Sequence, residues 1–180
     1  RFDFHAHNDY DLAVANVFQA IKAGIDCVHT TVNGLGERAG NATLSSIVAL
    51  VVDHLKLKTS INESKLNKIS KIVETFSGIR IPTNKPLVGE YVFTQCSGIH
   101  ADGDNKNNLY FNDLIPEHFG RKRVYALGKT SGKANIVKNL NELGLSLDAE
   151  PLKKVTDKIS ELGDLKEMVT IDDLPYIVAD

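Results

Sequence analysis

The first 55 residues alternate between two periodicities, and that alternation constrains the fold most. Phe2, Phe4 and Ala6 fall on one side of an extended segment, and Asp3, His5 and His7 on the other. From Asp11 to Ala23 the apolar residues Val14, Val17, Phe18 and Ile21 recur at helical spacing, with Gly24 as the stop. A second strand is expected over 26–32, ending in Asn33-Gly34. A mostly apolar helix is expected over 42–55, with Asn41 placed to cap it. Strand starts lie roughly 25 residues apart, the rhythm of a parallel α/β layout. Two such units alone would leave strand edges and apolar helix surface uncovered, so the pattern expects further strands before Arg1.

The pattern changes after Leu55. Residues 56–64 are polar and linker-like, and an amphipathic helix carrying Leu66, Ile69, Ile72, Val73 and Phe76 ends at Gly78. Pro82 and Pro86 mark a crossing. The stretch from Tyr91 to Asn112 starts apolar and becomes Asp- and Asn-rich, which suggests a helix running into a polar loop. Short amphipathic helices follow; one carries Leu152, Val155, Ile159 and Leu162 with Gly163 past its end, and another opens with a capping pattern at Thr170. The expected division is 1–57, 58–88 as linker and crossing, and 89–180 as a largely helical region.

Composition decides only what the chain is not. With 21 Lys and Arg against 23 Asp and Glu, the net charge of -2 argues against a nucleic-acid or membrane-surface binder. Cys27 and Cys96 offer no disulfide framework and read as reduced thiols of a cytoplasmic protein. Charge is locally uneven: Arg121, Lys122, Arg123, Lys129, Lys133 and Lys138 form a basic run that faces one acid, Glu117, and could receive a phosphorylated ligand.

Several residues carry potential chemistry. His5 and His7, two apart on a strand, present both imidazoles to one side near the carboxyl end, where α/β proteins gather ligands. Asn41 reaches the same rim and could add an amide oxygen, so a divalent Zn, Mn or Mg is expected. These three do not complete a metal site, for which a carboxylate is still needed. The run from Gly34 to Ala39 formally fits a dinucleotide fingerprint, but Asp53 lies inside a helix, not at the end of a following strand. The run from Gly128 to Lys133 falls one residue short of a phosphate loop, and Ala134 stands where Ser or Thr should be. His100, among Asp102, Asp104, Asn108 and Tyr110, suits a general acid or base. His29, His54 and His118 have no such context.

In this order and at these distances, HAHND, NGLGERAGN, SGIHADG and LGKTSGK resemble the 2-isopropylmalate synthase, citramalate synthase and homocitrate synthase family. HNDYDLAVAN and HADGDNKNNLY are most similar to the citramalate synthase branch. The resemblance implies an α/β fold: the last two βα units of a TIM (β/α)8 barrel, followed by a linker and a lid. It implies that His5, His7 and Asn41 hold the metal, and that His100 is the catalytic base or its relay, with Asp102 and Tyr110 beside it. Glu37, Arg38, Asn108 and Leu109 are expected to line the substrate or CoA site. The implied reaction is a Claisen-type condensation of acetyl-CoA with pyruvate or 2-oxoisovalerate in branched-chain amino-acid biosynthesis. The implied assembly is a homodimer whose lid acts on the neighbouring subunit. The family's Asp ligand and active-site Glu have no match here, so no turnover is expected of these 180 residues alone. The alternative is a dimerising or regulatory chain without catalysis.

Overall fold

The structure, a computed structural model, describes residues 1–95, 97–107, 109, 112–165 and 169–179. These form two compact units, one comprising 1–93 and 113–122, the other 94–112 and 123–180.

In the first unit, strand β1 (Asp3–His5), helix α1 (Ala13–Lys22), strand β2 (Cys27–His29), helix α2 (Leu44–Asp53) and helix α3 (Leu66–Ser77) follow in chain order. The two strands pair in parallel, with Asp3 opposite Cys27, Phe4 opposite Val28 and His5 opposite His29. This confirms the expected strand–helix–strand–helix succession, with shorter strands than the periodicity suggested. Helix α1 starts where the Asn8 side chain accepts from the Ala13 amide at 3.1 Å, and it stops before Gly24 (φ +87°). Ala6, Ala13, Val17, Ala42 and Ile47 bury the contact between β1 and the two helices, at roughly 1.5–3 kcal/mol for each large apolar side chain so buried.

Asn41 does not cap α2. The residue preceding that helix is Thr43, in extended conformation and without a side-chain cap, because the Asn41 side chain is drawn into the turn before it. Helix α3 ends on left-handed Gly78 (φ +72°), as its sequence indicates.

The boundary expected at 57 falls inside the first unit, and the one expected at 88 lies five residues before the break after Phe93. Leu66, Leu87, Val88, Phe93 and Phe119 share one buried cluster with Val48 and Ala49 of α2. That cluster joins residues 58–93 and 113–122 to the α/β segment. The Phe93 and Phe119 rings stack at 6.1 Å, and the Arg121 guanidinium lies 5.4 Å from the Phe93 ring.

The second unit contains β3 (Thr94–Gln95), α4 (Gly98–Asn107), β4 (Val124–Tyr125), α5 (Lys133–Glu142), α6 (Ala149–Asp164) and α7 (Leu174–Ala179). Strands β3 and β4 are parallel partners. The polar segment expected as a loop is helix α4, and the apolar stretch before it holds a turn and β3, the reverse of the expected order. Leu127, Ile136, Leu140, Leu152, Val155, Ile159 and Leu174 form this unit's core. Helix α6 runs through Gly163 instead of stopping before it. A Cβ there would lie 2.2 Å from the Lys129 amide nitrogen, so glycine serves close approach and not termination. Thr170 and Asp173 make the capping box that the sequence indicates.

Candidate functional site

Because paired parallel residues share a face, β1 and β2 present three rows on one side of their sheet: Asp3 with Cys27, His5 with His29, then His7 beyond the paired strands. The His5 and His7 rings are 4.9 Å apart edge to face, and the His5 and His29 rings 5.6 Å. His29 Nε2 lies 3.7 Å from Asp3 Oδ2. The ligand atoms of Asp3, Cys27 and His29 all fall within 4.8 Å of one another. Strand register, invisible in one strand's spacing, is what sets His29 and Cys27 beside Asp3 and His5.

The rim beyond β1 is built by backbone pairing. His7 bridges Asn41 in antiparallel fashion, the Asn8 amide donates to the Gly40 carbonyl at 2.9 Å, and the Ala42 amide donates to Ala6 at 3.2 Å. Asn41 is buried and its Nδ2 donates to the Leu35 carbonyl at 3.1 Å. That bond commits the amide's nitrogen side. It leaves Asn41 Oδ1, like His7 Nδ1, buried and without a hydrogen-bond partner. Two orphaned buried polar atoms on bridged residues are costly unless something binds them. The glycines of the turn fit around this amide: a Cβ on Gly36 would lie 2.1 Å from Asn41 Nδ2, and one on Gly40 would lie 2.0 Å from the Gly34 carbonyl oxygen.

Arg38 sits in the left-handed region (φ +54°) and its guanidinium makes a two-pronged contact with Asp9 at 2.7 and 3.0 Å. The hydrogen bond from Arg38 is the main reason the Asp9 carboxyl titrates below its ordinary range. Asp9, two residues past His7, was not singled out from sequence, although its HxHxD spacing points to it. Glu37 is highly exposed, 4.0 Å from Arg38. Asn33, also left-handed, donates to the Ser70 carbonyl at 2.9 Å and accepts from the Ser70 hydroxyl, which ties the glycine turn to α3.

The second unit holds the other group of expected residues. His100 and Asp102 lie on α4, where Lys106 pairs with Asp102 at 2.6 Å, one helical turn away. Leu109 is exposed, while Asn108 and Tyr110 lie outside the described residues. Asp104, on the same helix, has a fully buried side chain that accepts from the Tyr125 hydroxyl at 2.9 Å and lies 3.8 Å from Arg123. Burial first, and then that carboxylate, push the Tyr125 phenol up to about 12. Lys138 stands 3.9 Å over the Tyr125 ring.

These contacts break up the basic run expected between Arg121 and Lys138. Arg121 donates to the Gly89 and Glu90 carbonyls at 2.6 and 2.8 Å, Arg123 lies beside Asp104, and Lys129 pairs with Asp164 at 2.6 Å. Only Lys122 and Lys133 have no ion-pair or ring partner among the described residues.

The HMGL-like family model matches residues 1–73, and that of the homocitrate synthase post-HMGL domain matches residues 87–167. The relatives that the chain resembles over nearly its whole length are 2-isopropylmalate and (R)-citramalate synthases. The chain is 41% identical over 176 residues to a candidate (R)-citramalate synthase of Methanopyrus kandleri, covering 98% of this chain and 35% of that protein. It is 43% identical over 174 residues to a probable 2-isopropylmalate synthase of Ignicoccus hospitalis, covering 97% and 44%. The 2-isopropylmalate synthase of Methanocaldococcus jannaschii is 40% identical over 180 residues, covering 98% and 35%. The chain thus spans between a third and a half of the length of these relatives. Among the described residues no helix is long and apolar enough to cross a membrane.

Proposed function

We propose that the protein carrying this chain condenses acetyl-CoA with pyruvate or 2-oxoisovalerate, consuming water and releasing CoA to give citramalate or 2-isopropylmalate. The observation that carries this reading is the pair of orphaned buried polar atoms, His7 Nδ1 and Asn41 Oδ1, on bridged residues beside His5. The similarity to 2-isopropylmalate and citramalate synthases supplies the chemistry that such a rim serves. In the same reading residues 1–57 are the end of a TIM barrel. A parallel strand pair joined by a helix, with no further strand on either edge among the described residues, supports it.

A divalent Zn, Mn or Mg would be held by His5, His7 and Asn41. Two histidines and an amide oxygen suit such an ion, and both orphaned atoms would gain a partner. When bound, it would polarise the ketone of the 2-oxo acid and stabilise the negative charge that develops on its oxygen. Asp3, Cys27 and His29 are a second donor set, but Asp3 is already 3.1 Å from Arg1 and 3.7 Å from His29. We therefore place the metal at the rim.

The remaining steps belong to this chain's side chains. Asp9 fixes the Arg38 guanidinium, which in this reading faces an anionic part of the substrates, with Glu37 at the edge. His100, directly or as a relay, takes a proton from the acetyl methyl group, and the resulting carbon nucleophile attacks the ketone. Asp102, Asn108, Leu109 and Tyr110 line that part of the site. In the homodimer the region from 89 to 180 is a lid on the neighbouring subunit's rim.

The test follows CoA thiol release by the full-length protein with each oxo acid, for wild type and His100→Ala. Release with one oxo acid, reduced about 10²–10⁴-fold by the substitution, supports the reading and selects the substrate. Release from neither acid, by a well-folded dimer, turns the reading toward a regulatory or binding chain.

A further inference from the structure

In the first unit Arg121 is spent on the Gly89 and Glu90 carbonyls, and two further cations without a carboxylate partner meet at one cavity. A cavity of about 320 Å³ opens between the glycine turn, including Gly34, Gly36 and Ala39, and the segment holding Arg80, Ile81 and Lys85. Its size falls within the roughly 300–1,000 Å³ of small-molecule sites. Three cations line it (Arg38, Arg80 and Lys85) and no carboxylate does. Arg38 is committed to Asp9, but neither Arg80 nor Lys85 has a carboxylate within 4.0 Å among the described residues. Glu74, whose charge Arg80 feels, is taken by Lys71 at 3.2 Å and by the Ile81 amide at 2.7 Å.

The cavity is built, not incidental. The Ile81–Glu74 bond fixes the backbone next to Arg80. Lys85 sits in a tight turn, its amide donating to Pro82 at 2.9 Å and its carbonyl accepting from Gly89 at 2.8 Å. Gly89 has room for no side chain there, since a Cβ would lie within 2.6 Å of the backbone of Thr83 and Lys85. That turn aims the Lys85 ammonium at the glycine loop, 3.5 Å from where a Cβ on Gly34 would stand. The glycine turn supplies further lining residues, among them Gly34, Gly36, Ala39 and Gly40, none of which carries a negative charge. Two cations without a carboxylate partner beside a turn with little side-chain bulk suit an anion.

We propose that this cavity binds a phosphate group of a small phosphorylated molecule, held by Arg80 and Lys85 against the glycine loop. The phosphate could be part of coenzyme A or a free anion. The assignment does not depend on the condensation reading, because binding is measured without turnover. The experiment is calorimetric titration of the full-length protein with coenzyme A and with inorganic phosphate, for wild type, Arg80→Gln, Lys85→Gln and, as control, Lys68→Gln on the exposed face of α3. Circular dichroism checks that each variant is folded.

Each cavity variant is expected to weaken binding about tenfold, the loss of one charge-assisted contact, while Lys68→Gln leaves it unchanged. Coenzyme A bound far more tightly than phosphate makes this the anchor of the thioester substrate. Equal affinities make it a site for free phosphate. An affinity for both that is unmoved by Arg80→Gln and Lys85→Gln, or no binding of either, overturns the proposal whatever the full-length protein catalyses.

Discussion

Two histidines stand at the centre of this account, and the chain holds their surroundings in place by different means. The rim around His7 is set by backbone: a bridge to Asn41, amide bonds from Asn8 and Ala42, and glycines where a Cβ would collide. Helix α4, which carries His100, has the sequence GIHADGDNKN and no apolar stripe. Its buried fastening is Asp104, which accepts from Tyr125 and lies beside Arg123. A site set by backbone tolerates changes of exposed side chains but not of its glycines. One set by a buried carboxylate fails with that carboxylate.

The largest effect expected from this contrast is that of Gly40→Ala. The residue has φ +85°, and its Cβ would meet the Gly34 carbonyl oxygen at 2.0 Å. We expect a loss of about 4 kcal/mol from backbone strain and steric overlap together, read by urea denaturation. A loss below about 1 kcal/mol would mean that the turn re-forms without its glycine and that backbone does not dictate the position of Asn41.

Asp104→Ala comes next, at about 3 kcal/mol, because it leaves the Tyr125 hydroxyl and the Arg123 charge without that carboxylate in a buried setting. A melt followed on the second unit checks it, and a neutral result would show that α4 is held by something other than charge.

Tyr125 sharpens the same point by titration. With its phenol at about 12 and an ordinary value of 10.0, the folded state keeps the proton longer than the unfolded chain. Its stabilising contribution is complete below pH 10 and is lost as pH rises through about 12. Ultraviolet titration should show one late-ionising tyrosine, absent in Tyr125→Phe.

The smallest effect concerns the first unit. The Ile81 amide holds the Glu74 carboxyl below its ordinary value of 4.5. Glu74 therefore stabilises above that value, and the contribution fades as pH falls through the lowered one. Melting curves of wild type and Glu74→Gln should converge on acidification and separate above pH 4.5. Parallel curves at every pH would remove Glu74 from the support of the cavity wall.

The same contrast explains what was legible in the sequence. The βαβα succession and the rim residues His5, His7 and Asn41 could be read because backbone periodicity and motif spacing determine them. Only the capping expected of Asn41 fails: its position before an apolar helix suggests a cap, while its amide is held by Leu35. Helix α4 looked like a loop because its fastening comes from Tyr125 and Arg123, about twenty residues away in sequence. The basic run looked like a surface patch because linear charge counting cannot see that Arg121 caps carbonyls or that Lys129 meets Asp164. The neighbourhood of His29 and Cys27 needed strand register, which one strand's spacing does not supply.

The most direct test of the central claim, that the rim holds a catalytic metal, is metal-restored activity of the full-length protein. After removal of metal with EDTA, CoA release from acetyl-CoA and the preferred oxo acid is followed as Zn, Mn or Mg is added back, for wild type, His7→Ala and Asn41→Ala. The account predicts that wild type loses and regains activity, that His7→Ala stays inactive at any metal concentration, and that Asn41→Ala needs at least tenfold more metal, as for a lost ligand. Full activity after EDTA, or restoration of His7→Ala at the wild-type metal concentration, would contradict it.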